Sequence, residues 1–336
     1  MQQQRTAIAL FSGGLDSMIV IRLMQQQNVN VKAIHFVSPF FGDSPNEDGG
    51  KYDASRAAAL LNVPINIYNL CEEYLEMLRK PCHGYGKAIN PCIDCHAYFL
   101  KKAKEFMISE GADFIVTGEV LGQRPMSQRR DALRVVEKES GTEGLLLRPL
   151  SACFLKPTIP ELEGWIDREK LPAVKGRSRK EQIRLAKELG ITEYPNPAGG
   201  CFLTEVSYAS KVRDVFEHSE TLNPHDFRLL RLGRHFRLSP YAKFIVGRNE
   251  AENRLLESNV QPGEAGIYWR DGKGPFGLVV GDITENILQV AGKILLRYTK
   301  AETGVNADIE MLRNGVKEFF VCCNSMKEQE MEEYRI

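Results

Sequence analysis

The chain has 336 residues, enough for two domains, one of them with a sizeable core. Lysine plus arginine and aspartate plus glutamate number 44 each, so no global field draws a polyanion and such a partner must meet a local basic patch. No apolar run reaches the roughly 18 residues of a membrane span, and Met1 to Arg5 leads into a strand with no apolar leader, so the expectation is a soluble, cytoplasmic protein with no membrane partner.

The predicted elements begin with a strand at 6–11, a Gly-Gly turn and an apolar helix at 17–24. A strand at 31–37, a helix at 53–61, a strand at 65–70, a helix at 97–109 and a strand at 114–117 follow. Strands alternating with helices predict an α/β fold, a parallel doubly wound sheet covered on both faces. The Gly- and Pro-rich stretch 80–94 reads as a loop on the ligand edge of that sheet. A helix at 178–189 stops at Gly190, and the loop 195–201 closes the first domain. Beyond it the texture is that of a smaller α+β unit, with strands at 227–232, 244–246, 265–269 and 278–280 and helices at 250–257 and 285–298. The expected boundaries are a catalytic domain at 1–204, a linker at 205–225, a second domain at 226–325 and a frayed charged tail at 326–336.

Ser12-Gly13-Gly14-Leu15-Asp16-Ser17 lies where the first strand hands over to a helix. Backbone N–H groups at such a helix start point at a phosphate, and glycines let it approach. Ser12 and Ser17 add hydroxyls, and Asp16 among phosphates makes sense as a residue that helps hold a magnesium ion or orders the loop. No Gly-Lys-Ser/Thr follows, so the P-loop of kinases and GTPases is absent. A Gly-rich turn with a serine cap and no ligand is the plain alternative.

The six-residue string resembles the signature of the PP-loop ATP pyrophosphatases (adenine nucleotide alpha hydrolase-like). Asn90-Pro91-Cys92-Ile93-Asp94-Cys95, Thr117 to Gln123 with Ser127-Gln128, Arg148-Pro149-Leu150, the 178–189 helix and Gly200-Cys201 are similar, in order, to the tRNA-thiolating branch, the 4-thiouridine synthetases and 2-thiouridylases. That resemblance implies ATP and Mg2+ as cofactors and tRNA as partner. It implies a reaction in which a uridine oxygen is adenylated, pyrophosphate leaves, and sulfur replaces the activated oxygen. It places Gly118, Glu119 and Gln123 near the nucleotide and the base. Val120-Leu121-Gly122-Gln123 stands where one group of thiolases carries Asn-x-Asp-Asp, which favours the synthetase-like branch.

Of eight cysteines (71, 82, 92, 95, 153, 201, 322 and 323), three stand out. Cys92-x-x-Cys95 brings two thiols within reach of one metal or of each other, and Cys201 follows two glycines. By resemblance to the cluster-dependent thiolases, Cys92, Cys95 and Cys201 would hold a [4Fe–4S] cluster and act with Asp16 in catalysis, one iron remaining open to sulfide. A persulfide relay between the cysteines, a zinc site completed by Cys82 or His96, and unrelated thiols are the competing readings. The sulfur donor would be sulfide or a cysteine desulfurase persulfide. Cys71, Cys153, Cys322 and Cys323 read as packing residues, and His83 and His96 as hydrogen-bonded structural histidines.

Arg124, Arg129 and Arg130, and Lys175, Arg177, Arg179 and Lys180, form basic clusters suited to RNA phosphates or to plain solvation. In the second domain, the stretch Lys243 to Asn253, the Gly274-Pro275 turn and Leu296 to Lys300 resemble the RNA-associated domain of the NFACT family, which implies tRNA docking. Arg228, Arg231, Arg234, Arg237 and Arg248 are its candidate contacts, and a homodimer is compatible with this arrangement. Competing functions are a ligase or amidotransferase acting on a small molecule, and a non-catalytic ATP sensor attached to translation.

Overall fold

The computed structural model describes residues 4–40, 54–70, 72–195, 201–300 and 306–336. The chain divides into two compact units, Met1–Glu205 and Val206–Ile336.

Unit 1 runs β1 (Thr6–Leu10), α1 (Leu15–Gln26), β2 (Asn30–Val37), α2 (Ala54–Leu60), β3 (Ile65–Asn69), α3 (Glu72–Arg79), α4 (Cys92–Ser109), β4 (Phe114–Thr117), α5 (Arg130–Ser140), β5 (Leu146–Leu147), α6 (Ile159–Leu162) and α7 (Lys180–Glu188). Its five strands are all parallel, in the order β3-β2-β1-β4-β5. β1 lies centrally, with Ala7 beside Val31 on one side and Phe114 on the other. The apolar runs of β1 and β4 are buried throughout their middles because helices cover both faces. Between β1 and β4 the strand order reverses, and the loops after these two strands flank the crevice where open α/β sheets bind ligands.

Unit 2 runs α8 (Val206–His218), α9 (Pro224–Leu229), β6 (Arg234–Ser239), β7 (Ala242–Val246), α10 (Glu250–Ser258), β8 (Ala265–Trp269), β9 (Gly277–Gly281), α11 (Glu285–Arg297), β10 (Asn306–Arg313), β11 (Val316–Cys323) and α12 (Glu328–Glu332). Its sheet is antiparallel, in the order β11-β10-β8-β9-β7-β6. Ile287, Ala291, Ile294 and Leu295 of α11 share a core with Phe244, Ile267 and Ile309. Leu229 and Leu256 pack with Ile245 and Leu278 in a second cluster.

Four expectations change. The ligand-edge loop ends at Pro91, so Cys92 and Cys95 stand on the first turn of α4 rather than in a loop. The stretch expected as a linker carries α8, whose Tyr208, Ala209, Val212 and Val215 are buried at helical spacing. The apolar run at 227–232 is the end of a helix and a turn, not a strand, because Asn223 caps the helix and Pro224 takes its first position; the strand follows at 234–239. The tail is not frayed: Met331 is buried, and Ile336 N–H donates to the His235 carbonyl. Helices α3 and α5 and the hairpin of β10 and β11 complete the two units.

Candidate nucleotide and thiol site

Ser12-Gly13-Gly14 turns the chain from β1 into α1. Gly13 has φ +72°, the left-handed region that favours glycine, and a Cβ there would meet Ala54 Cα at 3.2 Å. Gly14 is the N-cap of α1 and offers no capping side chain. The helix start therefore presents backbone donors and the positive end of its dipole to the crevice. Ser17 Oγ donates to the Gly14 carbonyl at 2.8 Å, and Gly14 N–H reaches Ser12 Oγ at 3.3 Å. Leu15 is buried and anchors the turn.

Gly118, just past β4, closes over that start. An added Cβ would lie 2.8 Å from both Asp16 C and Ser17 N. The next turn returns Gln123 to α1, where its Nε2 donates to Asp16 Oδ2 at 3.0 Å. Asp16 Oδ1 and Gln123 Oε1 are buried with no hydrogen-bond partner. Burial raises the Asp16 carboxyl above its ordinary range, against the opposing pull of Gln123, Arg179, Arg124 and Gln182. A half-satisfied buried carboxylate at a helix start beside phosphate donors has the donor chemistry that a magnesium ion requires.

Glu119 is placed differently. Its Oε1 is 2.9 Å from His96 Nδ1, and its Oε2 accepts from Arg148 Nε at 2.8 Å and from Thr117 Oγ1 at 3.1 Å. Burial opposes its ionisation, but the Arg148 guanidinium and His96 outweigh that and hold the carboxyl far below the usual range. Arg148, buried after β5, also pairs with Glu137. Glu119 is thus a brace between β4, α4 and β5. Ser127 and Gln128 are buried too, and Gln128 fastens the turn by accepting from the Arg124 N–H at 3.2 Å and the Gly122 N–H at 2.7 Å through side chain and backbone.

α4 runs against the strands, so its first turn sits at the same carboxyl edge. Cys92 Sγ donates to Asn90 Oδ1 at 3.1 Å, Cys95 Sγ is 3.3 Å from Tyr74 Oη, and Cys201 Sγ faces the Phe40 carbonyl at 3.9 Å. The three thiols are half-buried, none in a disulfide. Burial pushes all three up, Cys201 to about 11, and each of Cys95 and Cys201 is raised further by the Cys92 charge. The Arg124 guanidinium opposes this at Cys92 and Cys201 while also acting on Asp16. Cys95 and Cys201 thus lie within the field of Cys92, and Cys92 and Cys201 share that of Arg124 with Asp16. Among the described residues no three His, Cys, Asp or Glu side chains are arranged to hold a single metal ion. His96 is committed to Glu119, and the Cys82 thiol is exposed. His83 pairs with Asp94 at 3.2 Å.

Cys322 is buried, whereas Cys153 is exposed and so is not the packing residue expected. Cys71 and the glycines before Cys201 lie outside the described residues. Sequence reasoning passed over Tyr74, which α3 buries against Cys95, and Gln182, fully buried on α7; the apolar spacing of Tyr74, Leu75 and Leu78 was the available signal for the first. A concave patch lined by Gln4, Asn28, Asn30 and Asn62 sits at the amino ends of the strands, opposite the loop.

In unit 2, Arg237 is held internally by Asp214, at 2.9 and 2.6 Å, so it is not a free phosphate contact. Arg248 pairs with Glu252, Arg234 lies over the Tyr298 ring at 4.6 Å, and Arg228 is exposed.

A nucleotide-phosphate loop at the switch point of a parallel sheet, followed by a separate antiparallel α+β unit, defines the class: a PP-loop domain joined to a second module. Residues 2–162 match the family described as thiamine biosynthesis protein (ThiI), and residues 233–335 the NFACT protein RNA binding domain. Each match covers less than half of the chain, and the two regions are similar to the families to which the motifs pointed. The chain is 23% identical to a tRNA-specific 2-thiouridylase MnmA of Petrotoga mobilis over 76% of this chain and 71% of that protein. Another, from Clostridioides difficile, is 27% identical over 60% of this chain and 56% of its own length. The chain thus spans between about half and seven-tenths of these relatives. A solved 4-thiouridine synthetase–RNA complex with bound ATP shares 19% identity and a TM-score of 0.34 over 56% of this chain and 52% of that one, a score at which overall shape carries no argument. Among the described residues no helix is long and apolar enough to cross a membrane.

Proposed function

We propose that the protein is an ATP-dependent tRNA sulfurtransferase that makes a thiouridine. The observation that supports this reading is that Cys92 and Cys95 open α4 at the carboxyl edge of the same parallel sheet at which Ser12 to Ser17 opens α1. Ser12, Gly13, Gly14, Leu15 and Ser17 bind the phosphates of ATP, and Asp16 with Gln123 holds Mg2+. Gly118 keeps the two loops in contact. The uridine carbonyl oxygen attacks the α-phosphorus and pyrophosphate leaves. Sulfur then attacks the activated carbon, and AMP departs with the original oxygen.

Cys92, Cys95 and Cys201 are the residues that would hold a [4Fe–4S] cluster, which when bound supplies an open iron able to present sulfide. Burial raises all three thiols, and a bound cation would favour their thiolate forms. A persulfide relay asks for an electropositive group that lowers a thiol, and Arg124 acts in that direction on Cys92 and Cys201 against the larger effect of burial. A cubane also spreads its thiolates more widely than a single ion does. Unit 2 docks tRNA.

Nucleoside mass spectrometry of tRNA from cells with and without the protein tests the activity; an unchanged thionucleoside profile refutes it. Pyrophosphate release stimulated by a small acid and not by tRNA would establish the ligase reading instead. Iron and acid-labile sulfide analysis of anaerobically purified protein, with Cys92→Ala as control, tests the cluster; iron-free protein that still thiolates tRNA removes it.

A further inference from the structure

The wall behind the phosphate loop holds a polar atom with no visible employment. Gln182 lies on α7, which packs against α1, and its side chain is fully buried beside Asp16. It helps to hold the Asp16 carboxyl down, the pull of an amide N–H turned toward it, while its Oε1 has no hydrogen-bond partner. Buried amides are ordinarily satisfied, because leaving one bare forfeits its hydration. Apolar residues fill such positions at no such cost, so the bare Oε1 needs a guest.

Three neighbouring facts say what the guest is. Asp16 Oδ1 and Gln123 Oε1 are bare as well, while Gln123 already donates its N–H to Asp16 Oδ2. The unfilled capacity around the carboxylate is therefore mainly oxygen acceptor, and it lies at the helix start that receives phosphate. A cation carrying its own water supplies donors to several acceptors at once, and magnesium keeps several waters when it binds with a nucleotide. A phosphate oxygen supplies none.

We propose that Gln182 is a positioning residue for the hydrated divalent cation that accompanies ATP, bracketing Asp16 with Gln123 and accepting from a cation-bound water. This rests on the ATP reading of the loop. Outer-shell partners of this kind change metal affinity by about ten- to a hundredfold when removed. Asp16 touches the ion in this arrangement, and Gln182 acts through the water and through the carboxylate.

The test uses the full chain and α,β-methylene-ATP, titrated with MgCl2 in a calorimeter, for the parent, Gln182→Met and Gln182→Glu. Gln182→Met should raise the Mg2+ concentration for half-maximal nucleotide binding by about ten- to a hundredfold, with near-parental affinity once Mg2+ saturates. Its nucleotide-free melting temperature should stay near the parent's, since the loss of a bare buried oxygen offsets the loss of the amide's pull on Asp16. Gln182→Glu, which keeps an oxygen, should restore the Mg2+ response toward the parent. An unchanged Mg2+ response in Gln182→Met overturns the proposal. So does an affinity loss equal at every Mg2+ level with a lower melting temperature, the mark of a packing role. If Gln182→Met does not fold, Gln182→Leu carries the same comparison. A parent that binds the analogue equally well without Mg2+ overturns this inference and leaves the ATP reading intact; a parent that binds no nucleotide overturns both.

Discussion

Gly118→Ala is the sharpest single probe of how the fold makes the nucleotide site. The added Cβ would sit 2.8 Å from Asp16 C, 2.8 Å from Ser17 N and 3.1 Å from Asp16 Cβ. Carbon atoms in contact prefer about 3.5–4.0 Å, so β4 and the first turn of α1 must part by roughly 0.7–1 Å. The obstacles include backbone of a buried helix, and no side-chain rotation relieves them. Overpacking of this kind costs about 1–3 kcal/mol, and for a unit of this size each kcal/mol lowers the melting temperature by about 2–4 °C. The unit 1 transition should therefore drop by about 2–12 °C. The displacement also pulls Asp16 from Gln123, 3.0 Å away, and turns the loop donors off the phosphates. Misplacement by an ångström is enough for about a hundredfold loss in turnover. Differential scanning calorimetry reads the first effect, and tRNA-stimulated pyrophosphate release the second. A variant that melts with the parent and turns over with it would show that the contact between the two loops positions nothing.

Other outcomes follow from the buried charges. Arg148→Met should destabilise unit 1 by about 3–5 kcal/mol at neutral pH by stranding Glu119. Because the folded Glu119 carboxyl titrates far below its ordinary 4.5, the stability it gives the parent is complete above that value and is lost as pH falls beneath it; parent and variant melts should converge there. In unit 2, burial lowers the Lys243 ammonium from 10.5 to about 8, with Asp214 opposing the shift. The unfolded chain holds that proton more tightly, so stability rises with pH across this window, and Lys243→Met should flatten the slope relative to the parent. A slope that the substitution leaves alone would dissociate Lys243 from it.

Legibility followed local chemistry. The Gly13-Gly14 turn between a buried strand and a helix announces itself, since both backbone freedom and apolar flanks are written in adjacent residues. The parallel order of the central strands was inferable from their alternation with helices. The start of α4 was hidden because Pro and Gly upstream read as loop, although Pro91 serves as its N-cap. α5 was missed despite Ala132, Leu133 and Val136 buried at helical spacing. The electrostatic coupling of Cys201 to Cys92 and Cys95 depends on chain segments far apart in sequence, and no local pattern encodes it. Gln182 was invisible for the same reason: a glutamine on a charged helix reads as solvated until α1 is packed against it.

Asp16 and Glu119 look alike in sequence, acidic residues after neighbouring strands, and both were expected at the nucleotide. Their environments push them in opposite directions. Glu119 is satisfied by His96, Arg148 and Thr117, so its charge is already employed in holding β4, α4 and β5 together. Asp16 keeps a bare buried oxygen and is raised by its own desolvation. Satisfied carboxylates brace, and unsatisfied ones wait for an ion. Glu119→Gln should therefore cost about 3–5 kcal/mol by leaving Arg148 uncompensated, while Mg·ATP affinity per folded molecule stays near the parent. Asp16→Asn should do the reverse. Its gain in nucleotide-free stability should appear as pH rises through 3.8 toward the raised folded value and stay constant above it, since the parent's desolvated charge costs stability once ionised. The introduced amide can also donate to the bare Gln123 oxygen. Mg2+-dependent binding of α,β-methylene-ATP should then be lost. If both variants lose stability alike and bind nucleotide alike, the division between brace and site is wrong.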